Sequence, residues 1–422
     1  MISARDIVFI SSIEWDFLWQ VHQEIAFQFA AAGNRILYIE NTGIRAPALQ
    51  DAGRVANRLR RWASSLFSHG VREVMPNVFV AAPLVAPPFG SGVSRFLNRH
   101  LFLRIVARTA RQMRFRDPLL WTYLPTNTAI DLIRSLATPA SVVAYYCGAD
   151  FSLLATDVAS YRRAEDELVK MADFVLVTCP ELFDRCKRNN SEVHFVPAVV
   201  NFDEFQLGSE DAAGKNPKTA RVYGLEKWPR PIIGYVGGLH RFVDYRLLAS
   251  LAKARPQWSF VFVGAKTADV GELDALPNVH LLGQRPHSDL AQYIREFDVC
   301  TVPYLNAEVT ATVVPLKINE YLAMGKPIVS TELPTICDFN SRHHILATAP
   351  NETEPFLRAI EKALSLPSDA ATVGHRREVA ALGDSKAVVA TISELIEDRM
   401  KEKASNRTIV SNLITPAVTA SS

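Results

Sequence analysis

The stretch Pro315–Thr331, PLKINEYLAMGKPIVST, decides the fold of this chain. Its apolar residues recur at helical spacing up to Gly325, which stands where a helix commonly ends. The β-branched pair Ile328 and Val329 then follows as a buried strand. A helix followed directly by a buried strand predicts an α/β fold, in which ligands bind at the carboxyl ends of strands and the amino ends of helices. The carboxylate of Glu320 is therefore a candidate for binding the hydroxyls of a ribose.

Length and composition predict two domains. A chain of 422 residues with 48% hydrophobic content is too long for one ordinary core. Its five cysteines are an odd set without a C-x-x-C pair, which indicates a reducing cytosol. They are Cys147, Cys179, Cys186, Cys300 and Cys337. We expect no cleavable signal peptide, and the sequence has no run of roughly 18 apolar residues that would span a membrane. The protein would therefore contact a membrane only at the membrane surface.

The first half of the chain alternates predicted strands and helices. Strands at 7–10 and 35–40 flank a helix at 17–32, which forms a first βαβ unit. Further strands are predicted at 119–122, 141–146, 174–178 and 193–196, with helices at 127–136 and 161–171. This pattern predicts a Rossmann-like domain over residues 1–205.

Residues 44–116 form a strongly basic segment. It contains 13 arginines against two acids, Asp51 and Glu73. The arginines are Arg45, Arg54, Arg58, Arg60, Arg61, Arg72, Arg95, Arg99, Arg104, Arg108, Arg111, Arg114 and Arg116. Predicted helices at 55–67 and 93–113 interleave these charges with apolar residues, as expected for a surface that lies on anionic lipid. Plain solvated helices are the alternative, and no motif accompanies the charge that would favour nucleic acid.

The second half repeats the alternation after a linker predicted at 206–230. A strand at 232–236 runs into Gly237 and Gly238, a turn whose backbone can approach a pyrophosphate. Strands at 259–263, 279–281 and 299–303 and helices at 245–254, 288–296, 354–364 and 386–401 are predicted next. The second domain is therefore expected over 231–402, followed by a disordered tail at 403–422.

The Pro315–Thr331 stretch is similar to the nucleotide-binding motif of the GT-B glycosyltransferases, especially the retaining family-4-like group. The resemblance extends over 231–331, and 164–187 resembles the last helix and strand of the family's N-terminal domain. It implies a GT-B fold with two Rossmann-like domains facing across a cleft. It also implies that the second domain binds a nucleotide-sugar donor, with Glu320 on the ribose, and that no metal is needed.

The sequence departs from the family pattern at the diphosphate. The family's two cations in the turn after the first strand of this domain are replaced here by Gly238 and Val243. Arg241, Lys266 and Lys317 are the candidate substitutes, although each also fits a solvated surface charge.

Other donor and acceptor contacts are also expected from the resemblance. Thr312 stands where the family's Glu-x7-Glu motif has its first Glu, and the stretch from Thr310 offers a hydroxyl and backbone amides. Gln284 falls where relatives hold the base. On the acceptor side the candidates are Glu14, Trp121 and Tyr123. Helix capping and a packed Trp are the alternative reading of the loop that holds Glu14.

The resemblance implies a glycosyltransferase that moves a sugar from a nucleotide-sugar donor to a bacterial glycan or lipid-linked glycan, with retention and without a metal cofactor. The expected location is the cytoplasm, with the inner face of the cytoplasmic membrane as a candidate peripheral site. A nucleotide-sugar 2-epimerase of GT-B architecture would instead form product from the donor alone. An inactive donor-binding partner subunit, suggested by the missing Glu and cations, would bind the donor without turnover.

Overall fold

The computed structural model of the chain describes residues 1–11, 13–40, 71–83, 95–96, 98–155, 157–210 and 225–414. The chain divides into two compact units. The first comprises Met1–Phe17, Ile25–Phe195 and Val388–Ser422, and the second comprises Leu18–Glu24 and Val196–Ala387.

The first unit is built on an eight-stranded sheet with the order β3-β4-β2-β1-β5-β6-β7-β8. Its strands are β1 (Asp6–Ile10), β2 (Arg35–Ile39), β3 (Val71–Met75), β4 (Val78–Ala81), β5 (Leu119–Thr122), β6 (Val143–Cys147), β7 (Phe174–Val177) and β8 (Val193–Phe195). All neighbours pair in parallel except β3 and β4, which are antiparallel. The central strands are buried along their length because helices cover both faces of such a sheet.

The second unit is built on a six-stranded parallel sheet with the order β11-β10-β9-β12-β13-β14. Its strands are β9 (Ile232–Val236), β10 (Ser259–Val263), β11 (Val279–Leu281), β12 (Val299–Val302), β13 (Ile328–Thr331) and β14 (Ala347–Ala349). The strand order reverses beside β9, so the turn after β9 lies where an open α/β sheet usually binds its ligand.

Helices connect the strands of both units. In chain order they are α1 (Val21–Ala31), α2 (Leu103–Gln112), α3 (Asn127–Leu136), α4 (Val158–Met171), α5 (Pro180–Lys187), α6 (Phe202–Glu210), α7 (Tyr245–Ala254), α8 (Leu290–Glu296), α9 (Lys317–Ala323), α10 (Pro334–His343), α11 (Thr353–Ser365), α12 (Ala370–Ala381) and α13 (Ser385–Ile414). None of the helices among the described residues is long and apolar enough to cross a membrane.

The parallel α/β class predicted from the sequence is confirmed, but several elements differ. Strands β3, β4 and β14 and helices α5, α6, α10 and α12 are additional to those predicted, and α6 extends into the linker predicted at 206–230. The helix predicted at 55–67 lies outside the described residues. The continuous helix predicted at 93–113 is instead a π-helical turn, Asn98–Phe102, followed by α2.

The end of the chain also differs from the prediction. The disordered tail expected at 403–422 begins as helix, because α13 continues to Ile414. Residues from Val388 group with the first unit instead of the second. One reason lies in Lys403, whose Nζ donates to the carbonyl oxygen of Ser141 at 2.6 Å and to Asp173 Oδ2 at 2.7 Å.

Candidate functional site

The turn that ends α9 fixes the position of this helix. The N–H of Gly325 donates to the Leu322 carbonyl oxygen at 2.8 Å, and the N–H of Lys326 donates to that of Tyr321 at 2.9 Å. These two bonds form a Schellman motif, and Gly325 has the positive φ of 70° that the motif requires. The buried ammonium of Lys326 then donates to two carbonyl oxygens at the end of α8, at 2.6 and 2.8 Å. The Gly-Lys pair of the motif therefore orients α9.

The turn after β9 is held by two tyrosines. Tyr235 Oη donates to the Gly238 carbonyl oxygen at 2.9 Å, and Tyr321 Oη accepts from the Val236 N–H at 2.8 Å. Gly237 has a φ of +135° and Gly264 packs against it so closely that a Cβ on Gly264 would lie 1.9 Å from the Gly237 oxygen. The backbone of this turn is thus fixed in a conformation that favours glycine.

Lys317 brings a positive charge to this turn. A Cβ built on Gly237 would lie 3.0 Å from Lys317 Cε and 3.2 Å from its Nζ. The ammonium donates to Tyr304 Oη at 2.5 Å and lies over the rings of Tyr235 and Tyr304, 5.0 and 4.8 Å from their centroids. These contacts hold the charge where a diphosphate cradled by the glycine turn would need it.

His240 lies in the same turn and was not among the residues expected from the sequence. Burial, aided by the charge of Lys317, lowers the pKa of His240 to about 4. Its Nδ1 accepts the N–H of Phe242 at 3.3 Å, and its ring packs edge to face on Tyr304 with 5.3 Å between centroids. The imidazole is therefore neutral near pH 7, with the proton on Nε2, where it can act as a hydrogen-bond donor.

Glu320 lies one turn along α9 from Lys317 and faces His287. The side chain of Glu320 is 15% exposed, and its Oε1 lies 3.5 Å from His287 Nε2. His287, which follows β11, was not among the residues expected from the sequence. Its only signal in the sequence was its place directly after the Gln284 loop.

His287 is enclosed by aromatic and acidic groups of the second unit. Its ring centroid lies 5.6 Å from that of Phe205 and 5.9 Å from that of Trp19, and its Nδ1 lies 3.9 Å from Glu204 Oε2. Burial opposes protonation, but the hydrogen bond and charge of Glu320, with the charges of Glu204 and Glu24, raise the pKa of His287 above its ordinary value. The contact with His287 thus fixes the position of the Glu320 carboxylate.

The other two candidate cations lie differently. Arg241 is exposed, and its guanidinium lies over the ring of Phe242, 4.9 Å from the centroid. The exposed ammonium of Lys266 lies 2.5 Å from Asp274 Oδ2. Of the three cations considered from the sequence, the structure places Lys317 against the glycine turn.

The remaining donor-side candidates have mixed placements. Thr310 is 1% exposed, and its Oγ1 lies within its own loop, 2.7 Å from the Leu305 oxygen and 2.8 Å from the Ala307 oxygen. Thr312 is also buried, at 2% exposure. Gln284 is exposed beyond Gly283. The hydroxyl of Thr310 therefore stabilises a loop, and Gln284 is the residue of this set that reaches solvent.

The three acceptor-side candidates belong to the first unit. Trp121 and Tyr123 are buried in an aromatic cluster, with 6.0 Å between their centroids and 5.5 Å between those of Trp121 and Phe9. The structure therefore does not bring the Trp121 ring to the surface. Glu14 is half-buried and lies near the buried carboxylate of Glu40, which accepts the Trp15 N–H at 2.7 Å.

Among the described parts of the chain, no group of three or more His, Cys, Asp or Glu side chains is arranged to hold a metal ion.

Comparison with known proteins gives this arrangement a family context. Residues 230–366 match the family described as Glycosyl transferases group 1. A putative teichuronic acid biosynthesis glycosyltransferase, TuaH of Bacillus subtilis (strain 168), is 27% identical over 233 residues. The match covers 53% of this chain and 56% of TuaH, so the chain aligns with about half the length of this curated relative.

Solved structures resemble nearly the whole chain. Sucrose-phosphate synthase from Thermosynechococcus elongatus has a TM-score of 0.65 at 18% identity, over 93% of this chain and 98% of that one. An alpha,alpha-trehalose-phosphate synthase (UDP-forming) from Burkholderia xenovorans, solved with glucose-6-phosphate, has a TM-score of 0.63 at 12% identity. That match covers 93% of this chain and 100% of the synthase. The chain has the GT-B fold, and its residues 230–366 are similar to the glycosyl transferases group 1 family, in agreement with the resemblance of the sequence motif.

Proposed function

We propose that this chain is a glycosyltransferase that moves a sugar, with retention, from a nucleotide-sugar donor to a glycan or lipid-linked glycan in bacterial polysaccharide biosynthesis. The observation that carries the proposal is the placement of Lys317 and Glu320 on one helix, with the ammonium of Lys317 against the Gly237 turn. A cation beside a glycine turn suits a diphosphate, and a carboxylate one helical turn away suits the ribose.

The chemical role of these groups follows from the leaving group. Sugar transfer from a nucleoside diphosphate leaves negative charge on the diphosphate, and preorganised donors lower the barrier by stabilising that charge. Lys317 supplies the charge, the Gly238 amide and His240 supply hydrogen bonds, and Glu320 fixes the nucleoside, whereas the Gly237 N–H already donates to the Val263 carbonyl oxygen at 2.9 Å. Most of the catalytic effect would then come from positioning and electrostatics. No resident metal is part of this proposal.

The relatives support the substrate classes proposed. TuaH is named for teichuronic acid biosynthesis, and the structural neighbour from Burkholderia xenovorans is named as UDP-forming. We therefore place UDP-sugars first among the donors to be tried, ahead of GDP- and ADP-sugars. A thermal-shift panel of these donors identifies the nucleotide, because a ligand that binds the folded state raises its melting temperature.

We also propose that the protein lies in the cytoplasm on the inner face of the membrane and contacts the membrane through residues 44–116. Residues 44–70 and 84–94 of that segment lie outside the described residues. The described arginines of the segment support the idea by their number, since each basic side chain near an anionic surface contributes about 1 kcal/mol.

The donor assignment is tested by Glu320→Ala. We expect the substitution to weaken UDP binding by about 1.5 to 3 kcal/mol, the range for a hydrogen bond to a charged group. Isothermal titration with UDP and 2′-deoxy-UDP localises the loss, because a carboxylate on the ribose makes the wild type prefer UDP and its removal abolishes that preference. Glu378→Ala, an exposed carboxylate on α12, is the matched control and should bind both nucleotides like the wild type.

An equal loss of affinity for the two nucleotides, or no loss, in a folded Glu320→Ala protein would reject the ribose assignment.

An activity assay separates the three candidate functions. A 2-epimerase forms product from the donor alone, an inactive partner subunit binds without turnover, and the proposed transferase needs an acceptor.

A further inference from the structure

A cavity of about 630 Å³ lies in the first unit, between α2 and α3. It is lined by five arginines and His100, whereas Asp131 is the single acid among its lining residues, all of which the structure describes. The arginines are Arg95, Arg99, Arg104, Arg111 and Arg134. The cavity takes no part in the proposed donor binding, because every donor-side candidate belongs to the second unit.

The cationic charge of the cavity exceeds what neighbouring acids neutralise. Arg95 binds Asp131 through two bonds of 3.1 Å, and Arg134 lies 2.6 Å from Glu167. Arg99 and Arg104 form no ion pair with any residue that the structure describes. A concave site with unneutralised guanidinium groups favours an anion, and the planar fork of Arg matches phosphate oxygens.

The lining is also apolar in part, which points to an amphiphile. Leu103, Ala110 and Phe115 line the cavity together with the arginines. Outside it, two large apolar side chains are exposed on the same stretch, Phe96 at 60% and Ile105 at 45%. Exposed apolar residues interleaved with basic ones are typical of a protein surface that inserts shallowly into the lipid headgroup region.

The π-helical turn at Asn98–Phe102 explains how the arginines converge. On a straight helix over 93–113, Arg95 and Arg99 would point away from Arg104 and Arg111. A π-helical turn has more residues per turn than an α-helix, so it shifts the phase of the side chains that precede it. The shift brings Arg99 toward the face of α2 that carries Arg104 and Arg111, and all three line the cavity together with Arg95. Arg108, on the same helix α2, is not among the lining residues.

We propose that this cavity binds the phosphate headgroup of an anionic membrane lipid. Arg99, Arg104 and Arg111 bind the phosphate oxygens, and Phe96 and Ile105 enter the interface beside them. The proposal deepens the membrane location given under the proposed function and rests on it, but it does not depend on the donor site.

Sedimentation of the full chain with lipid vesicles tests the proposal. Wild-type protein should sediment with vesicles that contain phosphatidylglycerol and should remain in the supernatant with pure phosphatidylcholine vesicles. Binding should be observed at about 0.05 M NaCl and should be largely lost at about 0.5 M. The triple variant Arg99→Gln/Arg104→Gln/Arg111→Gln should lose at least tenfold in partition coefficient, because each contacting charge contributes about fivefold. The matched control Arg108→Gln/Arg114→Gln/Arg116→Gln removes as many charges from the same stretch and should lose less than about threefold.

A soluble probe distinguishes a discrete site from a diffuse surface. Short-chain phosphatidylglycerol below its micelle concentration should bind the wild type saturably and the cavity variant at least tenfold more weakly. Equal losses in the two triple variants, absence of wild-type vesicle binding, or inorganic phosphate binding as tightly as the lipid would each overturn the proposal. The UDP-induced thermal shift should be the same in both triple variants, so a failure of the donor assignment is seen separately.

Discussion

Lys317 is the residue whose position carries most of the donor site, because its ammonium lies against the Gly237 turn. Lys317→Gln should weaken UDP binding by about tenfold to a hundredfold, the range for losing a hydrogen bond between charged groups. Binding of uridine, which lacks the diphosphate, should change little. Titration calorimetry with both ligands measures the difference, and Lys266→Gln is the control because Asp274 already pairs with that ammonium. A larger loss in Lys266→Gln than in Lys317→Gln would move the diphosphate elsewhere.

His287 makes the stability of the second unit depend on pH. Because Glu320 and Glu204 raise the pKa of His287, its contribution is complete below the ordinary value of 6.5 and is lost as the pH rises through the folded-state value. The melting temperature of the wild type should therefore exceed that of His287→Gln most at pH 6 and least at pH 9.

His280 provides the matched control for His287, with the opposite sign. Its ring stacks on Trp228 with 3.8 Å between centroids, and burial lowers its pKa. The difference in melting temperature between the wild type and His280→Gln should decrease as the pH falls below 6.5. The same pH profile in both variants would contradict the pairing of His287 with Glu320.

At the scale of elements, the end of α9 is the most constrained point. Gly325→Ala should destabilise the protein by about 1 to 3 kcal/mol, because a φ of 70° is strained for alanine and the new Cβ would lie 2.7 Å from Val373 Cγ1. Gly374→Ala, on the neighbouring α12, should stabilise by about 0.5 to 1 kcal/mol, because it lies within a helix with nothing within 4 Å. Urea unfolding measures both, and effects of the same sign would refute the argument.

These elements also show what the sequence could predict. The Gly325 stop and the β-branched runs are local signals, so the central strands and α9 were predicted from the chain alone. Strands β3 and β14 are short and carry weak patterns, and a π-helical turn leaves no periodic signal, so these were missed. Lys317 and Glu320 were found because they share one motif. His287 was missed because it contacts Glu320 only when the loop after β11 packs beside α9. No local sequence pattern encodes that packing.

At the scale of the whole molecule, the two units differ in how the chain supplies them. The second unit is nearly continuous over Val196–Ala387, whereas the first takes Val388–Ser422 from beyond it. The ammonium of Lys403 holds that last segment on the first unit by donating to the Ser141 carbonyl oxygen and to the Asp173 carboxylate, just before β6 and β7. Burial at Val389, Ile392 and Ile396 shows that α13 also contributes apolar side chains to the packed interior.

The position of α13 has a consequence for synthesis on the ribosome. Translation releases the chain from its amino end, and domains generally fold as they emerge. Most of the first unit emerges before the second, but it lacks α13 until residues 196–387 have been made. It therefore stays incomplete while the second unit is synthesised, and Lys403 can bond to Ser141 and Asp173 only after residues 196–387 have been made.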